Sequence, residues 1–345
     1  MMQFLKWTII GALALVALRF SWVVVPATGM LEDYTATQPG QCQAVTVSAG
    51  TEDVTIDQDT GQVFVSADNR RVQKNLDGNG IYMFPIDKPE EIRKVSLDAP
   101  ADFHPHGISL WRSEEGKRRM FVISHRSTGE QIIEVFNVSE DGMLTFVESI
   151  SHPIIHTPND LVATGERSFF VTNDHRLSGP ARSVEDILGL PLSDVVYFDG
   201  QSASSVIQHL AYPNGINLSA DGNTLYVAEI MKRHIRAWQR QPDGSFVGGQ
   251  AWPMRMGADN IEIDEAGNLW TAGHPNILAF PGHAADAANL SPSMASMVDP
   301  VSNEVKEVFY SAGEDLSGSS VAAHYQGALV IGAVFEEHVL VCSAQ

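Results

Sequence analysis

The sequence predicts an all-β fold, a six-bladed β-propeller behind an N-terminal hydrophobic leader or anchor. Three observations predict it: a hairpin pattern in six copies, near-even spacing of the copies, and 28 Gly with 17 Pro but few apolar helical stripes. The copies are "EDVTIDQDTGQVFVSAD" from Glu52, "HGISLWRSEEGKRRMFVISH" from His106 and "NDLVATGERSFFVTND" from Asn159. They continue with "NGINLSADGNTLYVAE" from Asn214, "DNIEIDEAGNLWTAGH" from Asp259 and "SSVAAHYQGALVIGAVF" from Ser319. Each reads as a polar start, a short alternating strand, a turn and an apolar strand, the turn usually holding Gly. Anchored at Val54, Ile108, Leu161, Ile216, Ile261 and Val321, the copies lie 54, 53, 55, 45 and 60 residues apart. Alternation of period two buries one face of each blade against its neighbour.

Taken in order, the chain begins with a segment unlike the rest. Lys6 precedes an apolar run from Trp7 to Val25, interrupted only by Arg19, with no convincing A-x-A cleavage site after it. That run is nearly long enough to cross a bilayer. Residues 1–30 are therefore expected to be a signal peptide or an uncleaved signal anchor. Membrane association through residues 7–25 follows, as does export, secreted or anchored, into an oxidising compartment. The two cysteines suit such a compartment. A Cys42–Cys342 disulfide would close almost the whole chain, worth roughly 5 kcal/mol as an upper figure, and would pin the terminal strands of one blade together. Stretches such as "IYMFPID" (Ile81 to Asp87) and "VVYFDG" (Val195 to Gly200) supply outer strands. No second core is visible, so residues 40–345 read as one propeller domain.

A formal charge of -20 argues against a nucleic-acid partner, which needs a basic face. The acidity has a local use as well. Inner strands of a propeller all start at one end of the channel, so Glu52-Asp53, His106, Asn159-Asp160, Asn214 and Asp259-Asn260 would ring one mouth. Any single such pair is ordinary turn chemistry; its repetition in five of six copies is not. Carboxylate and amide oxygens suit a hard cation such as calcium. Zinc is disfavoured for want of Cys/His spacing. His106 and His125 open and close one hairpin, so one imidazole can orient the other as a general base. No G-x-S-x-G elbow supports a serine nucleophile.

The stretches "GTEDVTI", "HPHGIS", "PNDLVA…FFVTNDH", "PNGINLSADGNTLYVAE", "DNIEID…GNLWTAGHPN" and "GSSVAAHYQGALVIGAVF" together resemble the paraoxonase/arylesterase family. The similarity runs from about Cys42 to Cys342. It implies a six-bladed propeller that holds two calcium ions and hydrolyses lactones and aryl esters. By resemblance, Glu52, Asn159, Asn214, Asp259 and Asn260 hold a catalytic calcium. Asp53, Asp160 and the Ile108 carbonyl hold a structural one. His106 and His125 match the family's His dyad, and His274 and Asp174 match pocket residues. The family also joins its terminal cysteines and keeps its leader.

Three departures stand out. Gly273 replaces a free cysteine of characterised animal members. The segment Asp68 to Gly80 is more basic than the family's active-site flap, and its Arg70, Arg71 and Lys74 are expected to be solvated, or else to select an anionic substrate. Arg126, not proline, follows His125. The expected function is calcium-dependent hydrolysis of a small-molecule lactone or aryl ester. The alternatives are a gluconolactonase-like sugar-lactone hydrolase, which lacks the paired histidines, and a calcium-stabilised binding propeller without catalysis.

Overall fold

The computed structural model describes residues 2–72 and 76–343. Six antiparallel four-stranded sheets follow one another around a central channel. Their inner strands are Asp53–Ile56, Pro105–Arg112, Pro158–Ala163, Pro213–Leu218, Gly257–Ile263 and Ser319–Tyr325. Each sequence repeat thus supplies the inner hairpin of one blade, and Gly80–Pro85 and Ser193–Phe198 supply third strands as expected. Three inner strands open on proline, which lacks an N–H and is tolerated at a first strand position.

Apolar side chains between neighbouring sheets make the core. Phe121 of the second blade meets Phe169 of the third with ring centroids 5.9 Å apart, and both are fully buried. Truncating either to alanine is expected to cost about 3–5 kcal/mol. The ring of blades closes in the last sheet, whose outermost strand Gln41–Thr46 comes from the start of the propeller and pairs with His338–Ser343. Cys42 stands opposite Cys342 in that register and is disulfide-bonded to it.

Among the described residues three α-helices lie outside the sheets: α1 (Met2–Ala27), α2 (Pro180–Leu188) and α3 (Phe280–Ala285). Among the described residues α1 is the one helix long and apolar enough to cross a membrane. Its interrupting Arg19 donates from Nε to Leu188 O and from Nη2 to Gly189 O, both at 2.8 Å. A cation is favourable at those carbonyls because they end α2, where the helix dipole is negative.

The basic segment after the first hairpin departs from expectation. Arg70 turns inward and donates to the carbonyls of Gly50, Asp68 and Pro105. Arg71 donates to Phe335 O and His283 O and lies over the Phe335 ring. Both are largely withdrawn from solvent and fix this segment to its neighbours, and Arg70 also lines a cavity beside Glu52. Lys74 lies outside the described residues.

Candidate active site

In five of the six blades the register slips at the start of the inner strand, between Pro105 and Ile108, Pro158 and Leu161, Pro213 and Ile216, Ala258 and Ile261, and Ser319 and Val321. The extra residues of these bulges include His106, Asn159-Asp160, Asn214 and Asp259-Asn260. A bulge leaves a residue without a ladder partner and re-aims its side chain. Space for the convergence comes from glycine. A Cβ on Gly107 would stand 2.6 Å from Asn159 O, and one on Gly215 only 2.3 Å from Asp259 O.

Glu52, His106, Asn159, Asn214, Asp259 and His274 share one wall of a cavity of about 440 Å³, with Asp174 and Arg182 beside them. Five buried oxygens here accept no hydrogen bond: Glu52 Oε2, Asn159 Oδ1, Asn214 Oδ1, Asp259 Oδ1 and Asn260 Oδ1. Leaving one such group unsatisfied costs about 1–3 kcal/mol, and all five stand at the starts of inner strands. Two carboxylates and three amide oxygens are the donor chemistry that calcium takes. Asn260 Nδ2 donates to Glu52 Oε1 at 3.1 Å, which fixes both side chains. Burial opposes ionisation of Glu52, but the His106 imidazole and Arg70 hold its carboxyl below the usual range. Asp259 is pushed the other way by burial and by the Glu52 charge, with His274 Nε2 at 3.2 Å only partly offsetting it.

The rear member of each pair is placed differently. Asp53 accepts from the N–H groups of Val54 at 2.9 Å and Ile108 at 2.7 Å. Asp160 accepts from Leu161 at 2.7 Å and Ile216 at 2.8 Å. Each carboxylate therefore ties its own blade to the next. Burial, with the charges of Asp160, Glu52 and Glu262, pushes the Asp53 carboxyl well above the usual range; burial raises Asp160 likewise. At Ile108 the N–H is engaged with Asp53.

The two histidines form a relay. His106 Nδ1 and His125 Nε2 stand 2.6 Å apart, and His125 Nδ1 meets Gln131 Oε1. Gln131 Nε2 donates to Gly129 O at 3.2 Å, which turns its oxygen toward His125. His125 Nδ1 therefore carries a proton and its Nε2 accepts from His106 Nδ1–H, while His106 Nε2 stands 3.3 Å from Glu52 Oε1. Burial first, then the charge of His106, lowers His125 to about 3, so it stays neutral at pH 7. Arg126 accommodates the missing proline: its N–H closes the turn onto Glu130 O and its guanidinium pairs with buried Glu134.

Gln131 was not singled out from the sequence, where a lone glutamine after a turn carries no signal. Nor was the network behind Asp174. Asp174 lies 3.0 Å from His175 Nδ1 and 3.0 Å from Arg182 of α2. Burial opposes, but Asp174 and Asp186 raise His175 to about 9, and burial with the Asp174 charge raises Tyr212 above its ordinary value. His274 stacks on Phe280 of α3 at 4.3 Å. A Cβ on Gly273 would lie 2.0 Å from Gly257 O, so a side chain at this position requires the backbone to shift.

Known proteins resemble this chain. Residues 81–343 match the arylesterase family model. Serum paraoxonase/arylesterase 1 of Homo sapiens is 32% identical over 243 residues, covering 69% of this chain and 68% of the relative. The Rattus norvegicus protein of that name is 31% identical over 311 residues, 84% of each chain. Among solved structures, a luciferin-regenerating enzyme aligns with a TM-score of 0.58 at 13% identity, covering 88% of this chain and 95% of that one. Regucalcin of Agrobacterium tumefaciens, described as a calcium-binding protein, gives 0.52 at 11% identity over 90% and 96%. At such identity these two show the fold alone. The family match and the relatives decide more: the chain belongs to the arylesterase family of ester-hydrolysing enzymes.

Proposed function

We propose that the protein is an exported, calcium-dependent hydrolase of small-molecule lactones and aryl esters, with residues 1–30 as its leader or anchor and 40–345 as its hydrolase domain. The observation that carries this reading is that four residues with an unpartnered buried oxygen, Glu52, Asn159, Asn214 and Asp259, line one cavity together with His106 of the histidine relay. Glu52, Asn159, Asn214, Asp259 and Asn260 would hold the catalytic calcium, and Asp53, Asp160 and the Ile108 carbonyl a second, structural one. A calcium ion at the first site supplies Lewis-acid polarisation of the substrate carbonyl.

The chain's own residues do the rest. His106, which lines the cavity, takes a proton from the attacking water at Nε2 once a cation has drawn Glu52 away as a ligand. His125 accepts the Nδ1–H of His106 and so holds the ring in the reactive tautomer, while Gln131 fixes His125. General base catalysis of this kind contributes typically 10²- to 10⁴-fold. His274 orients Asp259, and Asp174 with Arg182 borders the substrate space.

The test is hydrolysis of phenyl acetate and of a δ-lactone by the protein as purified, after EDTA, and after calcium is restored. Activity lost and regained with calcium is expected. Calcium-dependent thermal stability with no turnover of either substrate would overturn the reading in favour of a binding propeller.

A further inference from the structure

The channel has a second mouth, at the far ends of the inner strands, and the hydrolase reading uses nothing there. A cavity of about 270 Å³ opens at it and shares no residue with the cavity of the oxygen ring. Five inner strands line it, with hydrocarbon from Ile56, Leu110, Val162 and Ile263 and the carboxylate of Glu262. Two bridges join the first blade to the fifth across the channel. Asn260 meets Glu52 at the ring, and further along the same strands the Thr55 hydroxyl donates to Glu262 Oε2 at 3.1 Å. The other charged groups of this cavity are matched. Asp57 takes Arg112 and Arg118, and Asp59 takes Arg112. Asn217 spends both ends of its amide, on Ile261 O and on Leu218 N–H. Glu262 is the exception: among the described residues no lysine, arginine or histidine pairs with it. Burial raises its carboxyl to about 8, and only the Thr55 hydroxyl opposes that rise. This is the condition of a carboxylate without a counter-ion.

We propose that this cavity is a second binding site, for a primary ammonium carried on a short hydrocarbon chain, with Glu262 as its counter-ion. A hard metal ion would need about six oxygens or more. With Asp57 and Asp59 taken by the arginines, the wall offers one free carboxylate among aliphatic side chains. An alkylammonium asks for less. Its N–H groups can use Glu262 and the Ser109 hydroxyl, and its methylenes leave water against Ile56, Leu110, Val162 and Ile263. Small-molecule sites span roughly 300–1,000 Å³, so a cavity just below that range takes a small ligand. The site goes beyond the hydrolase reading and depends on none of its residues.

The experiment uses the full-length, calcium-loaded chain in detergent micelles at about pH 9, where an alkylammonium keeps its charge. Calorimetry is run with n-butylammonium chloride and with n-butanol, which has the same hydrocarbon and no charge. One n-butylammonium per chain is expected to bind, and n-butanol roughly tenfold more weakly or less. Glu262→Gln keeps the shape and removes the charge. It is expected to weaken n-butylammonium roughly tenfold to a hundredfold and to leave n-butanol unmoved. Glu52→Gln, at the other mouth, leaves n-butylammonium binding unchanged. Should Glu262→Gln not fold, a crystal of the parent soaked in n-butylammonium is expected to show the ligand against Glu262, and an empty cavity overturns the proposal. So does a parent without saturable binding, or an unmoved affinity in a folded Glu262→Gln. A loss in Glu52→Gln alone would put the amine in the catalytic cavity, and displacement by further calcium would make this a metal site; either overturns the proposal. None of these outcomes bears on calcium-dependent ester hydrolysis, which its own test decides.

Discussion

Glu52 and Asp53 are neighbours in the chain, as are Asn159 and Asp160, yet the two members of each pair end in opposite conditions. Glu52 Oε2 and Asn159 Oδ1 are buried with no donor. Asp53 and Asp160, one residue on, have every carboxylate oxygen engaged by backbone N–H groups, half of them from the next blade. The ring facing the cavity is thus unsatisfied, and the collar behind it is satisfied. The difference teaches that adjacent polar residues divide the work: the rear ones hold the blades in register so that the front ones can be left aimed at a single point. The histidine relay and the His175 network belong to the collar in the same sense, since their groups position others.

The sharpest way to break this comparison is to delete one side chain from each class in calcium-free buffer and measure urea unfolding. Asp160→Ala strands the Leu161 and Ile216 N–H groups and is expected to cost about 2–4 kcal/mol. Asn159→Ala removes an oxygen that nothing bonds and should cost well under about 1 kcal/mol. Equal losses would mean that the two classes do not differ.

A second effect tests the collar through pH. His175 lies 2.6 Å from Asp186 of α2 and is raised to about 9 from an ordinary 6.5. A raised folded pKa adds stability that is fully present below about 6.5 and is lost as pH climbs through about 9. Unfolding free energy should therefore fall by up to about 3 kcal/mol across that window and level off above it. His175→Gln should flatten the profile; a wild-type profile already flat would show that the latch adds nothing.

The smallest effect concerns the relay. Gln131→Ala leaves the cavity wall intact but frees the His125 ring, so kcat is expected to drop about 10-fold with KM nearly unmoved. A change confined to KM would place Gln131 in substrate binding.

Much of this was legible from residue order. The six hairpins, the closing of the last blade through Cys42 and Cys342, and the meeting of Glu52, His106, Asn159, Asn214 and Asp259 at one mouth all follow from period-two patterning and a repeat of near-constant length. What escaped was of another kind. Gln131 acts through a turn whose geometry fixes which amide atom faces His125. Arg70 and Arg71 looked solvated because a basic run usually is, and only the fold supplies the carbonyls that draw them in.

The sequence by itself determined the blade count, the strand faces and which polar residue types stand at each strand start, because these depend on local alternation and spacing. The tertiary structure decided that the strand starts are bulged, so that neighbours such as Asn159 and Asp160 serve different partners. It also decided that the amino-terminal helix ends inside the cavity wall, since Val24, Ala27 and Leu278 meet only when distant segments pack. Contacts across more than 200 residues carry no local signature, and among equally buried oxygens only the placement of N–H donors from the next blade separates one left free from one already bonded.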